Sequence, residues 1–219
     1  MDKKHYEKPK NISYSCQEHK SVRMLFSSFG FESPILCKKF ENVISRDEAL
    51  KNKTCWILPY AGYDSDRLFE KEKIRLVNYG FFDDKIIYIK DKSDALSIPD
   101  YIYVPGGDPY KLIKRLREIN IISNIVDSVR NNGTVYIGVS AGADIAAESI
   151  EYVLQLEDNN EITDKNYNAL GLINESIVCH YDQRSMMTLK ACRDVCKNEI
   201  LTINNDQLLM YTDGNWSYL

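Results

Sequence analysis

At 219 residues, with 44 % hydrophobic and 27 % charged side chains, the chain is long enough for one domain with a full core. Its formal net charge of −4 disfavours nucleic acid or an anionic membrane as the main partner. No apolar run approaches the roughly 18–20 residues of a membrane span, and residues 1–20, MDKKHYEKPKNISYSCQEHK, are too polar for an export-signal core. A polar, loose arm over 1–20, one domain over 21–219 and a cytoplasmic location are therefore expected.

VRMLFSS (22–28) reads as the first strand, and PILCKKFENVI (34–44) has helical periodicity. CWILPYA (55–61) is a second short apolar run. The segment 64–80 opens on capping Asp residues, places Leu68, Phe69, Ile74 and Val77 on one face, and stops at Gly80. KIIYIK (85–90) and YIYV (101–104) are strand-like, the latter running into PGGDP. Asp108-Pro109 is a helix start, and the apolar rhythm over 112–129 predicts a helix with a break near Asn120, ended by NNG (131–133). TVYIGVS (134–140) is apolar without alternation, as a strand buried on both faces should be. SIVCHY (176–181), a helix over 184–198, and the strands ILTI and QLLMY complete the chain. Repeated β-α alternation predicts an α/β fold with a mostly parallel sheet between helical layers, whose ligands sit beyond the carboxyl ends of the strands. PGGD, GVSAG and CHYD all fall at such ends.

The six cysteines do not require disulfides in a chain of this length. Cys192 and Cys196 share a helix face with Leu189 and Val195, which reads as apolar packing. A zinc site built from Cys179, His180, Cys192 and Cys196 lacks the usual paired spacing. No metal or organic cofactor is expected.

Gly138-Val139-Ser140-Ala141-Gly142 matches G-x-S-x-G, the sharp strand-to-helix turn that exposes a nucleophilic serine. Its plain alternative is a packing turn whose serine caps the helix. The small residues Ala141, Ala143, Ala146 and Ala147 would let that helix approach the sheet, and the Ala141 N–H would face an oxyanion. The serine needs a base. Of the three histidines, His5 and His19 lie in the polar arm, which leaves His180. An acid to orient the imidazole can be sought among Glu148, Glu151, Glu157, Asp158, Glu161 and Asp164, which spacing barely separates. YVPGGDPY lacks a full phosphate-binding pattern and suits a close-approach loop whose Gly107 N–H is a second oxyanion donor.

YIYVPGGDPYKLIKRL, GVSAGADIAAESIEYVLQLED and GLINESIVCHYD together resemble the peptidase E family of serine peptidases (peptidase family S51), which includes aspartyl dipeptidases and cyanophycinases. The resemblance runs from about residue 22 to the end, where NNDQLLMYTDG is similar to the family's closing hairpin. It implies a three-layer α/β/α sandwich, class I glutamine amidotransferase-like (flavodoxin-like), and a serine-type peptidase acting on a small peptide, with N-terminal Asp a candidate specificity. The nucleophile falls on Ser140, the base on His180 and the oxyanion donors on Gly107 and Ala141. Gln155 stands near where the dipeptidases carry their Asp, so the acid passes to Glu157 or Asp158. Asp108 occupies a position more often Asn in the family, and with Arg184 and Arg193 it is a candidate substrate-binding residue, a guanidinium being suited to a carboxylate. The implied partner is a small peptide, with no nucleic acid or membrane, and a monomer or homodimer is expected. An α/β-hydrolase esterase and a catalytically silent binding relative are the alternatives.

Overall fold

The structure, a computed structural model, describes residues 21–44, 48–156 and 165–219. The arm over 1–20 lies outside that set. In chain order the strands are β1 (Arg23–Ser27), β2 (Cys55–Ile57), β3 (Ile86–Tyr88), β4 (Tyr101–Val104), β5 (Val135–Val139), β6 (Ser176–Val178), β7 (Ile200–Thr202), β8 (Leu208–Thr212) and β9 (Asn215–Tyr218). Seven form one sheet in the order β3-β2-β4-β5-β1-β8-β9. β1 to β5 run parallel within it, and β8 and β9 are antiparallel at one edge. Asp213 and Gly214, both at positive φ (47° and 89°), make the tight turn between β8 and β9.

The central strands are buried on both faces, as their unbroken apolar runs require. Met24, Phe26, Trp56, Ile102 and Tyr136 pack on one side with α4 (Pro109–Glu118), α5 (Ile122–Asn132) and α7 (Met186–Val195). Leu25, Ile57, Tyr103 and Ile137 pack on the other with α1 (Pro34–Glu41) and α3 (Ser65–Tyr79). These are the three layers of an α/β/α sandwich. Asp64 caps α3 by accepting from Arg67 N at 2.9 Å, and Gly80 ends it at φ 134°. The break between α4 and α5 falls at Asn120, whose φ of 54° no helix tolerates.

Three expectations need correcting. The buried face of α3 carries Phe69, Glu72, Leu76 and Tyr79, whereas Ile74 is 60 % exposed. A charged residue on the core face hid that stripe from a hydrophobic count. The helix after Ser140 is a single turn, α6 (Ala141–Asp144). The carbonyls of Ile145, Ala146 and Ala147 instead accept from the backbone of residues 170–173, so the alanine run packs a returning loop. Finally, β6 does not enter the central sheet; it pairs with β7 in a separate two-stranded parallel sheet.

Candidate active site

β5 lies between β4 and β1, and its carboxyl end delivers Ser140 to the middle of the sheet edge. The Ser140 N–H donates to Ser27 O at 2.9 Å, and its backbone sits at φ 47°, ψ −110°. That region is costly for a residue with a Cβ and persists only where the surroundings impose it. Here the imposition is steric. A Cβ on Gly138 would stand 2.5 Å from Gly142 O, and one on Gly142 would stand 2.2 Å from Val104 O. Both glycines are needed for the turn to lie this close to β4 and to itself.

His180 comes from the end of β6, in a left-handed conformation (φ 56°). Ser28, just past β1, joins the two sheets: its hydroxyl accepts from His180 N at 2.9 Å and faces the carbonyls of Ile203 and Asn204 at 3.3 and 3.1 Å. Phe29 packs edge-on against the imidazole, with ring centroids 5.1 Å apart. In this setting His180 Nε2 lies 3.2 Å from Ser140 Oγ. His180 Nδ1 lies 2.8 Å from Asn205 Oδ1, and Asn205 Nδ2 donates to Asp182 Oδ2 at 3.4 Å. Asn205 was not singled out by the sequence pattern, because an asparagine in a polar NND loop is indistinguishable from an ordinary turn residue.

Gly107 adopts φ 139°, and a Cβ there would stand 2.4 Å from Ala61 O, so this loop too approaches its neighbour closely. Gly106 backs Ser140, its Cβ position being 3.1 Å from the serine Cβ. Neither the Gly107 nor the Ala141 N–H enters a turn, loop or cap hydrogen bond among the described residues. The Asp108 carboxylate is taken up in capping α4, accepting from Tyr110 N and Lys111 N at 2.8 and 3.1 Å. Cys179, beside His180 in sequence, is buried, and burial holds its thiol well above the ordinary range, which leaves it unreactive.

Ser140, His180, Gly106 and Gly107 line a cavity of about 210 Å³ together with Glu32, Lys71, Glu72, Arg75 and Tyr103. Glu72 is almost fully buried; burial raises its carboxyl pKa, opposed by the Arg75 guanidinium and by the Tyr103 hydroxyl, which donates at 2.9 Å. Arg75 bridges Glu72 and Glu32, so both its Nη groups are engaged. Lys71 enters no ion pair among the described residues. Arg184 and Arg193 are not among the residues lining this cavity. Arg184 donates to Leu156 O at 2.9 Å, and Arg193 is exposed in the last turn of α7. Glu157 and Asp158 lie outside the described residues.

The family model described as peptidase family S51 matches residues 25–219. A peptidase E of Salmonella arizonae is 32 % identical over 164 residues, covering 73 % of this chain and 69 % of that protein. The Drosophila melanogaster protein named "Probable alpha-aspartyl dipeptidase" is 30 % identical over 129 residues, covering 59 % of this chain. The chain spans about half the length of that relative, 52 %. Among solved structures, a Listeria monocytogenes EGD-e protein provisionally described as a peptidase E superposes with a TM-score of 0.73 at 21 % identity, over 91 % of this chain and 98 % of that one. At that identity the likeness is one of fold.

Proposed function

The chain belongs to peptidase family S51, and from that premise we propose that it is a serine peptidase cleaving small peptides, with Ser140 as nucleophile and His180 as general base and acid. One observation carries the reading: Ser140 Oγ stands 3.2 Å from His180 Nε2 on a turn held at φ 47°, ψ −110°. Nε2 takes the hydroxyl proton as Oγ attacks the scissile carbonyl. The N–H groups of Gly107 and Ala141 receive the oxyanion of the tetrahedral intermediate. His180 then returns its proton to the leaving amine, and a water attacks the acyl-enzyme by the same route in reverse.

The cavity supports a small substrate, since about 210 Å³ is less than the 300–1,000 Å³ usual for drug-sized ligands and suits one residue of a short peptide. An acidic residue at that position is consistent with the dipeptidase name of the fly relative and with Lys71 on the cavity wall. In this reading Lys71 takes the carboxylate-binding role that the sequence had suggested for Arg184 and Arg193. The test is hydrolysis of a panel of aminoacyl p-nitroanilides, Asp included, by the wild type and by Ser140→Ala. Release that is fastest for Asp and vanishes in the variant is expected. Equal rates in the two proteins would remove Ser140 from the mechanism.

A further inference from the structure

We infer that Asn205 is a positioning residue for this reaction: anchored by Asp182, its amide holds His180 in the tautomer that leaves Nε2 unprotonated and facing Ser140. The inference rests on the reading of Ser140 and His180 given above. A neutral imidazole carries one N–H, and the partner of one nitrogen decides the state of the other. Nδ1 lies 2.8 Å from Asn205, whose amide can offer either an acceptor or a donor. Asp182 removes that ambiguity. An ionised carboxylate only accepts, so the amide group facing Oδ2 at 3.4 Å is the NH2. The amide oxygen is left for His180, Nδ1 must donate to it, and Nε2 is the acceptor 3.2 Å from Ser140 Oγ.

The loop between β7 and β8 is built to hold this arrangement. Ile203 N donates to Val178 O and Tyr181 N to Ile203 O, both at 3.0 Å, which ties the loop to the segment bearing His180. Asn204 N donates to Gln207 Oε1 at 2.9 Å, and Asp206 N to Asn204 Oδ1 at 3.0 Å. The orienting hydrogen bond is therefore made by a neutral amide, with the carboxylate one residue further back. The Nδ1 proton is already engaged, so a carboxylate from the segment holding Glu157 and Asp158 would have to displace Asn205 to take that role. The other charged residues lining the same cavity are Glu32 ahead of α1 and Lys71, Glu72 and Arg75 of α3.

The test uses the full chain labelled with 15N-histidine, which carries three rings, and assigns His180 by subtracting the spectrum of His180→Gln. The wild-type ring is expected to be protonated at Nδ1 in its neutral form. In Asn205→Ala it should move toward the Nε2–H form that predominates in water. Reaction of Ser140 with a fluorophosphonate should slow roughly 10- to 100-fold in Asn205→Ala, the range for losing one hydrogen bond and stranding its partner. Asn205→Asp should restore the rate to within a few fold. It should also shift the acid limb of the rate–pH profile to higher pH, because an adjacent carboxylate favours the imidazolium. A wild-type ring protonated at Nε2, wild-type reactivity in Asn205→Ala, or a greater loss in Glu157→Gln or Asp158→Asn than in Asn205→Ala would each overturn the assignment. The wild-type spectrum needs no variant to fold and no chemistry at Ser140, whereas undiminished labelling of Ser140→Ala would defeat the Ser140 reading, and with it the role in this reaction, while leaving the tautomer assignment standing.

Discussion

Gly142→Ala tests the closest of the glycine approaches described above. The new Cβ would stand 2.2 Å from Val104 O, 2.9 Å from Val104 Cβ and 3.0 Å from Val104 C. The first of these falls about 1 Å short of ordinary contact. All three atoms belong to β4, which is hydrogen-bonded to β2 on one side and β5 on the other and has no freedom to retreat. The displacement must therefore be taken by α6 and by Ser140, two residues upstream. Overpacking of this kind costs about 1–3 kcal/mol, which in a domain of this size lowers Tm by about 2–12 °C. The kinetic effect should exceed the thermodynamic one, since a shift of about 1 Å at a reacting group costs roughly 100-fold in rate. Thermal unfolding and kcat/KM on the best p-nitroanilide, with fluorophosphonate labelling as a substrate-independent control, measure both. Retention of activity within about threefold together with an unchanged Tm would refute the argument that this glycine positions the nucleophile.

Glu72→Gln tests the buried carboxylate. Burial raises its folded pKa above the ordinary 4.5, with Arg75 opposing, so its stabilising contribution is present below that value and is lost as pH rises through the folded one. Urea midpoints from pH 4 upward should turn progressively in favour of the glutamine variant, and a constant gap would contradict the shift. Ser28→Ala removes the hydroxyl that joins the two sheets and holds His180 N, and should cost about 1–3 kcal/mol by denaturant unfolding together with slower labelling of Ser140. Lys71→Glu should lower kcat/KM for the Asp p-nitroanilide by about tenfold or more while sparing neutral substrates. An equal effect on both would place Lys71 outside recognition.

Local chemistry was sufficient for much of this protein. The buried runs 101–104 and 134–140, the Asp64 and Asp108 caps and the terminating Gly80 and Gly133 each follow from interactions a few residues apart, and the elements they predict are present. The G-x-S-x-G turn was legible because its residue types fall within five positions and Gly138 is demanded by Gly142 itself, whereas the demand on Gly142 comes from Val104 of β4. What sequence spacing could not decide depends on contacts between distant segments. The polar Glu72 on the buried face of α3 is explained only by Arg75 and Tyr103, the latter from another element. The alanine run after Ser140 favours helix locally, yet residues 170–173 take its carbonyls and end the helix after one turn. The partner of His180 Nδ1 is separated from it by 25 residues and comes from a polar loop with no periodicity to mark it. A hydrogen bond of 2.8 Å between two loops is set by where β6, β7 and β8 place their ends, and that is a property of the packed chain alone.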